Sequence, residues 1–168
     1  MDRVGLLALA RYNAYATRLV LDRAAHLPEG DWARPAGPSH GSVEQTVRHL
    51  LETEAFFVAL CAGQAFVEFP GPLSLAELRG LAERVAAETE HFLTTAADAD
   101  LAQPTALSLR GQTLHLPAWQ LLTQIFLHAT HHRGELSILM SQLGLPLPTL
   151  DILLHFIEAS GQTWPSRA

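Results

Sequence analysis

A chain of 168 residues has the length of one ordinary domain and is long enough to bury a full core. It is globular in composition, 48% hydrophobic and 17% charged, and its net charge of −6 with no Lys/Arg cluster excludes the basic face that nucleic-acid binding needs. No apolar run reaches the ~18 residues that cross a bilayer. The apolar start, MDRVGLLALA, is interrupted by Arg11 too soon for a secretory signal. The single cysteine, Cys61, excludes an internal disulfide framework and suits a reducing cytoplasm. The expectation is one cytoplasmic domain over residues 1–168, with neither nucleic acid nor membrane as partner. Histidine is the compositional excess: there are nine, three of them between positions 128 and 132.

Asp2 to about His26 reads as a first amphipathic helix, with Leu6, Leu9, Tyr12, Leu19 and Leu21 near helical period and Gly5 weakening its first turn. The segment LPEGDWARPAGPSHG that follows is dense in Pro and Gly and is a loop. It is longer than the usual helix–helix connection, which suits a functional role or a cover over one end of a bundle. Ser42 opens a second helix, with Gln45 as capping-box partner, running to about Ala62 before Gly63. Ser74 and Glu77 open a third in the same way, continuing to about Ala99. In LSLRGQTLHL, apolar and polar residues alternate on both sides of Arg110-Gly111-Gln112, which predicts a short hairpin or an extended excursion. A fourth long helix runs from about Pro117, a natural first-turn residue, to Leu143, where Gly144 and Pro146 signal a stop. After the turn-rich LGLPLPTL, Asp151 to about Ser160 forms a short fifth helix, and the tail GQTWPSRA is expected to fray. The fold class is therefore all-α: a four-helix bundle with a short extra C-terminal helix and a small hairpin-like excursion before the fourth long helix.

The fourth helix carries FLHATHHRGEL. His128 and His132, four residues apart, stack one turn apart on one face, beside the apolar stripe of Leu121, Ile125, Leu136 and Leu139. Two imidazoles on an inward stripe are half of a metal site, since histidine ligates zinc and serves nickel, copper and iron as well. A third donor must come from elsewhere. His26, His40, His91, His115 and His155 are available, but His40 lies in the Pro/Gly loop, His115 in the excursion, and His91 late in the third helix with an undecided direction. His49 is the strongest candidate: it is mid-helix, and Thr46, Thr53 and Phe56 give it a mostly uncharged face. The plainer alternative is a partly buried histidine bonded to a carbonyl.

Rival constellations fail on spacing. A zincin needs H-E-x-x-H, but HATHH places Ala129 where the glutamate belongs. A di-iron bundle needs two E-x-x-H motifs, and only Glu88 with His91 supplies one. A zinc deaminase needs a cysteine pair. What survives is a mononuclear three-histidine site with a coordination position left open for water, an anion or a thiolate. Among neighbouring residues, Tyr12 on the first helix offers either a phenolic donor to the pocket or a buried hydroxyl satisfied elsewhere. His131 lies about 100° round from His132 and reads as a surface residue. Arg133-Gly134 suggests close helix–helix contact, including contact between subunits. Cys61, near a helix C-terminus, reads as structural, and Glu52 and Glu54 as ordinary helix carboxylates.

The blocks RYNAYATRLV with LPEGDWARP, then GSVEQTVRHLLETE, then FLHATHHRGELSILMSQLGLPLPTLD, in that order, resemble the DinB/YfiT-like family of metalloenzymes over nearly the whole chain. The resemblance implies a four-helix bundle, commonly a homodimer, with one divalent metal ion on three histidines, which match His49, His128 and His132. It also implies, as one activity of the family, S-transfer that depends on a low-molecular-weight thiol cosubstrate such as bacillithiol or mycothiol, acting with a small-molecule substrate. Glu135 departs from the family's more frequent Gln and is a candidate to support an imidazole from behind the ligands. Zinc or nickel is the leading ion, with iron or copper as further choices. Two other readings stand beside the enzyme: a metal-binding or stress-response bundle without turnover, and a structural dimer with a degenerate site. Because a metal needs neutral imidazoles, affinity is expected to weaken as pH falls below ~6.5.

Overall fold

In the computed structural model, which describes residues 1–28, 30–36, 39 and 41–163, a side-chain cap starts each of the first three helices. The Asp2 carboxylate accepts from the Gly5 N–H at the start of α1 (Arg3–Ala24), and Ser42 accepts from Gln45 at the start of α2 (Val43–Cys61). At α3 (Leu75–Thr95), Ser74 and Glu77 satisfy one another's N–H groups in a full capping box. Such a cap contributes about 1 kcal/mol by pairing one of the orphan donors of the first turn. The box expected at Ser42 is half formed. The Gln45 side-chain oxygen lies 2.6 Å from where a Cβ on Gly41 would stand, and Gly41 has φ +85°, so that turn requires glycine twice over.

The third helix ends at Thr95, earlier than the expected Ala99. Its acidic tail is used for caps: the Asp98 carboxylate accepts from the Arg3 N–H at the head of α1 (2.7 Å), and Asp100 accepts from Ala97 (3.2 Å). That bonding breaks the chain at Ala96 and starts the one-turn α4 (Asp98–Leu101). Strands β1 (Pro104–Leu109) and β2 (Gln112–Pro117) then pair antiparallel across Arg110-Gly111, both at positive φ as a tight primed turn demands. Helices α5 (Ala118–Gln142) and α6 (Ile152–Ala159) complete the chain. The expected hairpin-like excursion and short C-terminal helix are both present, while the all-α class with four long helices becomes a mostly helical fold with six helices and a two-stranded sheet among the described residues.

Helices α1 and α2 each pack against both α3 and α5. Their buried side chains form two apolar clusters, one around Val20, Val47, Leu81 and Met140 and one around Leu6, Val58, Leu93 and Ile125. Chain order places a polar layer between them. Asn13 and Thr17 on α1, Glu54 on α2 and Thr89 on α3 are buried and fall between the two clusters on their own helices, and on α5 the buried His132 and Arg133 stand one turn beyond Ala129, the first member of the Val20 cluster on that helix. No helix among the described residues is long and apolar enough to cross a membrane.

Candidate metal centre

Because α2 and α5 pack together, His49 on the first meets His128 and His132 on the second. The Nε2 atoms of His49 and His128 are 3.1 Å apart and those of His128 and His132 are 3.2 Å apart. The rings stand edge to face, with interplanar angles of 60°, 88° and 69°. An imidazole lone pair lies in the ring plane, so mutually tilted rings aim theirs at a shared point instead of stacking. An ion bound at about 2.0–2.1 Å separates its nitrogens by about 2.9 Å at a right angle and about 3.4 Å at a tetrahedral angle. The spacing lies between those limits, and the donor set fits one divalent cation.

Glu135, one turn beyond the ligand pair on α5, lies behind His132 with its Oε2 2.7 Å from Nδ1. A carboxylate there accepts the Nδ1 proton, leaving the Nε2 lone pair facing the other two rings. The Ser39 hydroxyl donates to the same oxygen at 2.6 Å, tying the long loop to the site. Partial burial opposes ionisation of Glu135, but the Ser39 and His132 hydrogen bonds hold its carboxyl below the usual range. His131 is 69% exposed, with Nε2 3.4 Å from the other Glu135 oxygen. It forms a second grouping with His132 and Glu135, open to solvent and sharing His132 with the first.

The other sequence candidates fall elsewhere. His26, His91 and His115 are exposed, His155 lies against Tyr12 and Tyr15, and His40 is outside the described residues, as are residues 164–168 of the expected frayed tail. Tyr12 donates its hydroxyl to the Leu150 carbonyl and holds its ring 5.4 Å from the Arg133 guanidinium carbon, so it supports Arg133 and not the imidazoles. Around Gly134 a Cβ would meet nothing within 4 Å, so the close approach expected there does not occur within this chain. The Cys61 thiol is pushed up to about 12 by burial, which keeps it inert for a stronger reason than the helix terminus.

Glu54 is not the ordinary helix carboxylate expected. It is 6% exposed, and accepts from Asn13 Nδ2 and from the Thr89 hydroxyl, each at 2.8 Å. Arg133, 3% exposed, donates to the Asn13 carbonyl oxygen at 2.6 Å. Burial raises the Glu54 carboxyl, opposed by Thr89, the Arg133 charge and Asn13. Burial likewise lowers the Arg133 guanidinium. The sequence did carry a signal: Val47, Leu50, Leu51, Glu54 and Val58 share one helical stripe, which puts a carboxylate among core positions.

The DinB family model matches residues 1–163, and the chain belongs to the DinB family. Solved structures that share its fold include two DinB-like proteins. A DinB-like protein from Bacillus subtilis is 18% identical with a TM-score of 0.66, over 85% of this chain and 97% of that one. A DinB-like protein from Bacillus cereus is 21% identical with a TM-score of 0.71, over 89% and 99%. No curated protein matches the chain.

Proposed function

We propose that this chain is a divalent-metal-dependent enzyme whose ion is held by His49, His128 and His132. The observation that carries the reading is the convergence of three Nε2 atoms, with 3.1 and 3.2 Å separations, on a point flanked by α2 and α5. Three protein donors match the ligand number of catalytic zinc sites, where a fourth position takes water or substrate. Zinc or nickel suits an all-imidazole set best, with iron or copper next. When bound, the ion supplies a Lewis-acid centre at which a coordinated thiol is deprotonated.

The chain's own residues do the rest. Glu135 fixes the His132 tautomer, and Ser39 fixes Glu135. The two helices hold the imidazoles at set angles before any ligand arrives, which limits reorganisation. The reaction class that suits this arrangement is S-transfer from a low-molecular-weight thiol to a small electrophile, and family membership supports it. A homodimer belongs to the same proposal. On α5, Leu127 and Ile138 are about two-thirds exposed, in line with the open Gly134, and form a face for a second copy.

Cobalt(II) reports on both parts of the proposal. Loaded with cobalt, the protein should show a visible ligand-field spectrum, and added cysteine should bring in a near-ultraviolet thiolate-to-metal band. Cobalt binding without that band, for cysteine and for bacillithiol or mycothiol, would leave a metal protein and remove the thiol chemistry.

A further inference from the structure

One further space lies away from the three clustered histidines. A cavity of about 440 Å³ lies between α1 and α3, within the range of small-molecule sites, and none of the three histidines lines it. Its cause is local. Ala10 and Ala14 on α1 face Ala82 and Ala86 on α3, and small side chains leave unfilled the space that larger ones would interdigitate. Two ion pairs bracket it across the helices: Arg11 with Glu90 (2.7 Å) at one end and Arg79 with Asp22 (2.8 Å) at the other. Eleven residues of α1 separate those ends, about 16 Å of helix. The opening is therefore held at a set length by charges, with an apolar middle.

At its inner side stands Glu54. Each carboxylate oxygen accepts one hydrogen bond from the chain, to Asn13 on one and Thr89 on the other, and each can accept a second. The charge count of the lining, three arginines against four carboxylates with Glu54 included, leaves one negative charge in excess. Apolar walls, a buried acceptor and that sign define the occupant.

We propose that the α1–α3 cavity is a second small-molecule site, which takes a small primary amine whose ammonium group donates to Glu54 and whose apolar body lies on the four alanines. Arginine rims of this kind also attract anions, but the buried group that an occupant reaches is an acceptor, and an anion would meet it with like charge. The site is independent of the metal reading, since its lining and its charge belong to different residues.

The test uses the intact protein and three probes of one shape: benzylammonium, benzyl alcohol and benzoate. Each is titrated to about 10 mM, the range that ligands of this size reach, with binding read by calorimetry and by amide shifts. Saturable 1:1 binding of benzylammonium is expected, at least about tenfold tighter than the alcohol, with benzoate weakest. Ala86→Phe, which fills the cavity from α3 without touching Glu54, should abolish the binding while circular dichroism and metal affinity stay unchanged. Glu54→Gln should bring amine and alcohol to within about threefold of each other. Absence of saturable binding, equal binding of benzoate, or undiminished binding in a folded Ala86→Phe would each overturn the proposal. If Glu54→Gln does not fold, Ala86→Phe and the ranking of the three probes decide alone.

Discussion

Helices α2 and α5 carry two polar groups in one interior, and these are built on opposite principles. In the band of Arg133, Asn13, Glu54 and Thr89, donors meet acceptors and the buried cation has its anion within the chain. In the histidine cluster, like meets like: three ring nitrogens point at one another, and the carboxylate stands behind them, not between them. Burying charge is tolerable only with a partner. The band meets that condition internally and fixes how the helices sit. The donor set of the cluster suits a cation from outside, as proposed above. Five positions along α2 separate Glu54 of the band from His49 of the cluster.

The largest effects should come from the cluster. His49→Ala, His128→Ala and His132→Ala should each weaken zinc binding by more than about 100-fold, beyond what supporting residues carry. In His131→Ala the change should stay within about threefold. Competition against a chelator measures all four, and an equal loss in His131→Ala would move the ligand set to the exposed grouping. The band comes next. Glu54→Ala leaves Arg133 buried beside an emptied position and should cost about 3–5 kcal/mol in urea denaturation. Adding Arg133→Met should recover part of that, because the two act as one unit; strict additivity would dissolve the band as a unit.

Glu135→Ala sharpens the contrast from the other side. Metal affinity should fall about 10- to 100-fold while metal-free stability changes little. A stability loss as large as that of Glu54→Ala would make Glu135 a structural residue. The pH response separates the two carboxylates further. The raised Glu54 carboxyl means that the folded chain holds that proton longer than the unfolded chain. The associated stability is complete below the ordinary value of 4.5 and is lost as pH rises through the raised one. Glu54→Gln lacks this loss, so its Tm relative to wild type should climb on going upward from about pH 4. A flat or falling difference would mean that Glu54 titrates normally. The smallest effect is at Gly134, where Ala should stabilise the metal-free monomer by about 1 kcal/mol. Destabilisation that grows with protein concentration would instead mark the face as a subunit contact.

Much of the cluster was legible because helical spacing alone aligns His128 with His132, and an uncharged stripe marks His49. Periodicity likewise marked all four long helices, and Arg110-Gly111 marked the hairpin. What was not legible depended on partners from other helices. The stripe shared with Val47 and Leu51 places Glu54 among core positions, but its partners Asn13 and Thr89 come from α1 and α3, and of the two readings of Tyr12 only the Leu150 carbonyl decides for the hydroxyl satisfied away from the pocket. The early end of α3 was hidden for the same reason: Asp98 leaves its own helix to cap α1 at Arg3.

The most direct measurement is metal content per chain after purification without a chelating tag, repeated on His128→Ala. About one equivalent of a divalent metal, lost in the variant, is the expected result for a three-imidazole site. A wild-type chain that takes up neither zinc nor nickel on reconstitution, or a His128→Ala chain that keeps its full equivalent, would contradict the assignment of His49, His128 and His132 as ligands.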